Sequence, residues 1–235
     1  MKFSRFGGLL AAAALGIVMM QSVAARAESV SYVDWTSGTA GEPGTVTGTL
    51  FSGANQITVT YTGDVSFFNS GDSPVHYSDP SDYTAGGTIA APPYTGLIGL
   101  AVDGVDTLTF SQAVTDPILD VVSLGAPGNA TTYAFNATPI ILSQGTDQWG
   151  GVSGDLTVSG NTLFGQEGSG AVQFDGTYTS ISWTAGNQEY WNAITVGAPS
   201  PTPEPGSLVL LGSGLLFLAF VMFRSAKPAG FSMQL

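Results

Sequence analysis

Cysteine is absent from the 235-residue chain. Disulfides, thiolate metal sites and cysteine nucleophiles are thereby excluded, and an exported chain without them has to rest on its packed core. Histidine occurs once, as His76. A histidine-rich zinc site is excluded. A Ser/His/Asp triad would have to use that single residue, which sits in a Gly-, Pro-, Ser- and Asp-rich stretch with no Gly-x-Ser-x-Gly elbow anywhere in the chain. Basic residues are scarce as well. The five are Lys2, Arg5, Arg26, Arg224 and Lys227, all in or beside the two apolar ends, whereas the 17 acidic residues run from Glu28 to Glu204. The segment between therefore carries acidic charge with no lysine or arginine to pair it. Such a surface repels phosphate backbones, which excludes nucleic acid as a partner, and it stays soluble at the cost of self-repulsion.

The two ends read as targeting elements. Lys2 and Arg5 precede a continuous apolar run from Gly7 to Met20, followed by Ala25-Arg26-Ala27. A positive start, a short apolar core and small residues at the −3 and −1 positions are the pattern of a secretory signal peptide, here residues 1–27, with Ala25 and Ala27 marking cleavage before Glu28. Export machinery of the Sec type and a signal peptidase are the partners this implies. At the other end, residues 199–205 contain four prolines, which remove donors and fix φ, so they read as a stiff extended linker. Residues 206–223 are apolar or small, near the lower length limit for a membrane-spanning helix. Arg224 and Lys227 follow in a short tail, 224–235, and by the positive-inside rule would stay cytoplasmic as the membrane stop.

Pro203-Glu204-Pro205, an apolar Leu- and Gly-rich helix and then basic residues together resemble the PEP-CTERM sorting domain. The resemblance implies an exported surface protein of a Gram-negative-type envelope whose tail is recognised by a membrane-embedded exosortase. Pro203, Glu204 and Pro205 would be the recognition element, and the apolar helix a transient inner-membrane anchor. It covers only about the last 35 residues and differs from the usual tail in its thin basic cluster.

Between the ends, residues 28–198 read as one all-β domain, an antiparallel β-sandwich or jelly roll of about ten strands. Ile57, Val59 and Tyr61 alternate with Thr58, Thr60 and Thr62; Leu108 and Phe110 with Thr107, Thr109 and Ser111; Ile181 and Trp183 with Ser180, Ser182 and Thr184. Half-buried antiparallel strands give this period of two. Thr45, Thr47 and Thr49 form a second threonine ladder, suited to a solvent-facing strand. Gly63-Asp64, Gly160-Asn161 and Asp175-Gly176 read as tight turns, Ala126 to Asn129 as a short turn, and Asn69 to Pro93 as a long loop.

Three chemistries are open to this domain. Calcium takes six to eight oxygens, and Asp72, Asp79 and Asp82 in the long loop, with Asp103 and Asp106 beside Gly104, are the candidates, although their spacing is not that of an EF-hand. Aromatic platforms for sugars would come from Trp149 and Trp191, near Gly-rich turns; Trp35, Trp183 and Tyr190 are further aromatics, with Trp183 expected in the core. A carboxylate pair for hydrolysis would be Glu167 and Glu189. The balance of these features points to a non-enzymatic structural or adhesive surface protein associated with exopolysaccharide or biofilm, ahead of a carbohydrate-binding module and a carboxylate hydrolase.

Overall fold

A computed structural model describes residues 29–69, 80–93, 96–146, 154–187, 190–200 and 207–225. Fifteen strands form among these residues, all paired antiparallel. In chain order they are β1 (Val30–Tyr32), β2 (Asp34–Thr39), β3 (Gly41–Ser52), β4 (Asn55–Val65), β5 (Phe67–Phe68), β6 (Ile98–Leu100), β7 (Gly104–Thr115), β8 (Ile118–Leu124), β9 (Thr131–Phe135), β10 (Ile140–Gly145), β11 (Leu156–Ser159), β12 (Thr162–Gly165), β13 (Gly168–Gln173), β14 (Thr177–Gly186) and β15 (Asn192–Pro199). One sheet has the order β10-β13-β8-β15-β6-β5, with β1 also on β15. The other has the order β11-β12-β9-β14-β7-β4-β3-β2. The expected all-β class and antiparallel pairing are present. Sheets of seven and eight strands exceed both the ten strands expected and the eight of a simple jelly roll, because short strands such as β5, β6 and β11 carry too few residues to show a period.

The alternation places the core where the sequence puts it. Ile57, Val59 and Tyr61 of β4, Leu108 and Phe110 of β7, and Ile181 and Trp183 of β14 are buried together with Leu119, Val121, Ile194 and Val196 from the other sheet. Tyr133, Phe135, Phe174 and Trp183 interlock edge-to-face or tilted, at centroid separations of 4.8 to 6.0 Å. Trp35 reaches across from β2 to β15, where its Nε1 donates to Thr195 Oγ1 at 3.2 Å.

The outer faces of the sheets differ. Every residue of β8 is buried, on both faces. Its outward side is covered by residues 80–93, the described second part of the expected long loop: Tyr83 packs with Val122 and Ala193, and Ile89 with Ile118 and Ala171. This segment is less irregular than expected, holding two 3-10 turns, Pro80–Tyr83 and Ala85–Gly87. The outer face of the eight-stranded sheet carries exposed and half-buried threonines and serines, together with exposed Asp34, Phe51, Gln56 and Val105.

Of the tight turns expected from sequence, Gly160-Asn161 forms between β11 and β12; Asp175-Gly176 is instead a bend that carries the chain from β13 of one sheet to β14 of the other, so no hairpin forms there. Ala126 and Asn129 close the short turn by reciprocal backbone bonds of 3.0 and 2.9 Å. Gly63-Asp64 is not a turn; it lies inside β4, and the β3–β4 hairpin turns at Gly53-Ala54 instead. Gly63 is there because its Cα faces Asp106: a Cβ at this position would fall 2.1 Å from Asp106 Oδ1.

The domain's ends meet. Val30 pairs with Pro199 and Tyr32 with Gly197, and Ser200 N–H donates to the Ser29 carbonyl at 2.6 Å. The last strand thus runs one residue into the expected 199–205 linker, and the proline is accommodated at the strand end.

Candidate functional site

The C-terminal element is a helix, α1 (Ser207–Ser225), of 19 residues. It has no acid in its first turn and Arg224 in its last, where a cation complements the helix dipole. Leu211, Leu215, Leu216, Phe217, Leu218, Phe220, Val221, Met222 and Phe223 are all exposed on it, Phe223 at 84 %. They leave no polar face, a pattern that calls for apolar surroundings. Among the described residues, however, no helix is long and apolar enough to cross a membrane. The transmembrane span expected over 206–223 is thus not shown: the helix observed is Ser207–Ser225, and Gly212, Ser213 and Gly214 dilute its apolar run.

Several sequence candidates lie outside the described residues: Ala25 and Ala27, Asp72, His76 and Asp79, Trp149, Glu189, the Pro203-Glu204-Pro205 tripeptide and Lys227. Those that are described do not converge. Asp82 sits in the first 3-10 turn with its carboxylate against Gly145, whose added Cβ would meet Asp82 Oδ1 at 2.1 Å. Asp103 is exposed, while Asp106, three residues on, is fully buried and points into the core. Among the described residues there is no group of three or more His, Cys, Asp or Glu side chains that could hold a metal ion. Trp191 is half-buried and packs on Phe67 at 6.1 Å, so it is held against the domain rather than offered as an open platform; its neighbour Tyr190 is 93 % exposed. Trp183 is in the core, as expected. Glu167 accepts a hydrogen bond from the Ser123 hydroxyl, and both residues have positive φ, 68° and 54°.

The polar features sequence reasoning missed are buried acids. Asp106 Oδ1 accepts from the Tyr61 hydroxyl at 2.5 Å and from Asp64 N–H at 3.0 Å. Asp64 in turn holds the Ala101 and Val102 N–H groups, the latter at 2.7 Å. Burial pushes the Asp106 carboxyl up to about 6, against the lowering effect of the Tyr61 and Asp64 hydrogen bonds. Trp183, opposite Asp106 on β14, also lowers it, yet its Nε1–H falls short of hydrogen-bond geometry, so Nε1 and Asp106 Oδ2 are unpaired. The same proximity and burial push the Tyr61 hydroxyl far up. Asp120, on the outward side of β8, is completely buried with neither oxygen in hydrogen-bond geometry; burial holds its carboxyl well above the usual range, against the lowering pull of the nearby Tyr32 hydroxyl, which donates to the Ala90 carbonyl at 3.2 Å. The available signal for Asp106 was its phase, in step with Leu108 and Phe110.

A cavity of about 10 Å³ beside Ala101, Val102, Tyr133 and Asn192 has room for about one water. Ligand pockets are of order 300–1,000 Å³, so this is not a substrate site.

Comparison with known proteins bears on the tail alone. Residues 201–225 match the PEP-CTERM protein-sorting motif. Nothing matches among curated proteins or among solved structures. The chain therefore carries the sorting signal of an exported protein, processed by an exosortase-type membrane protease on its way through the membrane to the cell surface.

Proposed function

We propose that this is a non-enzymatic structural or adhesive protein of the bacterial surface, delivered by its PEP-CTERM tail into an exopolysaccharide or biofilm matrix. The observation that carries the reading is the matched motif at residues 201–225, joined directly to the last strand of an acidic domain. The acidic, histidine-poor composition supports a role without catalysis. Signal peptidase acts before Glu28, and the exosortase acts near Pro203-Glu204-Pro205. The envelope is of the Gram-negative type. Helix α1 supplies the apolar element that holds the chain at the inner membrane until that second cut.

Ser29 and Ser200 are hydrogen-bonded neighbours, so the two ends of the described domain meet; in sequence the proposed cuts fall just before the first and a few residues after the second. Fractionation of the host, with both termini of the mature protein read by mass spectrometry, tests this reading. A start near Glu28 and an end near Pro205 in the surface or extracellular fraction is the expected result. An intact tail in the inner-membrane fraction would overturn the sorting step.

A further inference from the structure

We infer that residues 80–93 are a proton-held roof, seated on β8 while the Asp120 carboxyl beneath it is neutral and released when that carboxyl ionises. Asp120 stands between Leu119 and Val121, whose side chains enter the core between the sheets, so its own side chain leaves the sheet on the outward side. The roof covers it there. Tyr83 and Ile89 pack on Val122, Ala193, Ile118 and Ala171, and Asp120 has no exposure. Neither of its oxygens is in hydrogen-bond geometry. A negative charge in this place has lost its water and gained little in return.

The surroundings supply no cation. Tyr32 of β1 is the titratable group beside Asp120, and Tyr83 of the first 3-10 turn lies next to Tyr32. β13 and β15 set Ala171 and Thr195 opposite Asp120, and neither titrates. Asp82, on the same turn as Tyr83, has its carboxylate against Gly145. Among the described residues of the β domain there is no lysine, arginine or histidine. Burial pushes the Asp120 carboxyl and the Tyr32 hydroxyl up together, so neither gives the other a countercharge.

The roof is the part that can yield. Among the described residues its backbone bonds close its own turns, with Gly87 N–H and Ile89 N–H donating to the Thr84 carbonyl at 2.9 and 3.1 Å. Short 3-10 turns do not hold their shape away from a packing surface. β8, by contrast, is bonded to β13 and β15 along its two edges, so lifting the roof costs less than unpairing the strand. In the lifted state Asp120 regains an ordinary carboxyl, which gives up its proton at lower pH than the seated one. Seating is therefore firm in acid and weakens by up to about tenfold per pH unit above the ordinary carboxyl range, until the seated group itself ionises. Lifting bares Ile118, Val122, Ala171 and Ala193, an apolar strip that the acid form keeps covered.

Hydrogen exchange read by mass spectrometry tests this on the full chain in mild detergent, from pH 4.5 to 8, with each rate divided by the intrinsic rate at that pH. Peptides within 80–93 should be less protected than those of β4 at every pH, and should lose at least tenfold of their protection across the range. Asp120→Asn and Asp120→Val cannot ionise, and each should abolish that loss. Asp106→Asn should leave it in place. A flat wild-type profile, a loss that persists in either folded Asp120 variant, a loss removed by Asp106→Asn, or protection of the roof equal to that of β4 would each overturn the assignment. The wild-type profile and Asp106→Asn decide the matter even where an Asp120 variant fails to fold.

Discussion

Tyr61 and Asp106 meet inside the core on neighbouring strands, the tyrosine hydroxyl donating to Asp106 Oδ1 at 2.5 Å. The pair has a consequence for pH. Burial raises the Asp106 carboxyl to about 6 from an ordinary value of 3.8. The folded state therefore binds more protons than the unfolded state between those values, and stability falls as pH rises through that window. The loss over the whole window is on the order of 3 kcal/mol, most of it complete by pH 7. Urea midpoints measured from pH 4.5 to 7.5 in 0.5 M salt, which screens the surface acids, should decline. Asp106→Asn, which still accepts from Tyr61, should flatten that decline. An unchanged slope in the variant would show that Asp106 is not the titrating group, leaving Asp120, whose carboxyl is displaced in the same direction.

Asp64 is a different kind of buried acid. Its carboxylate closes the backbone of Ala101 and Val102 between β6 and β7. Asp64→Ala leaves two N–H groups without their partner and should cost about 2–4 kcal/mol. Equilibrium urea denaturation checks it; a change below about 1 kcal/mol would mean water replaces the carboxylate there.

Gly63 and Gly104 give a paired test. Gly63 has φ +155°, and a Cβ would strike Asp106 Oδ1, whereas a Cβ at Gly104 meets nothing within 4 Å. Gly63→Ala should lower the thermal midpoint severely, by the equivalent of about 2–4 kcal/mol, since the obstacle is a buried, hydrogen-bonded group. Gly104→Ala should be neutral or stabilising by up to about 1 kcal/mol. Equal effects from the two would place Asp106 elsewhere.

The contrast between these positions shows what was legible in the sequence. The inward phase of β4, β7 and β14 could be read directly, because apolar and hydroxyl residues alternate there without a break. Asp106 has the phase of a core residue and the chemistry of a surface one, so it was grouped with exposed Asp103 as a calcium candidate. Gly63-Asp64 has turn composition, but the glycine answers a side chain 43 residues away and the aspartate caps a backbone 37 and 38 residues away. Such long-range demands leave no local mark. The threonine ladders were visible one strand at a time; that they align into one grid depends on register, which no single strand contains. The tail was the most legible part, since its signal is contiguous.

The apolar surface of α1 yields the last expectation. Leu216 and Phe217 are 74 % and 61 % exposed on a helix with no polar face. If these side chains sit in an apolar phase before processing, replacing both by aspartate moves two charges into it, at a cost of several kcal/mol. In detergent phase separation, the unprocessed wild-type chain should enter the detergent phase, and Leu216→Asp with Phe217→Asp should shift it to the aqueous phase. In the exporting host the same variant should appear in soluble fractions with its tail uncut, because a membrane protease meets only what the membrane retains. A double variant that partitions like wild type and is still trimmed near Pro205 would show that the Pro-Glu-Pro element alone is recognised, with the helix acting only as a spacer.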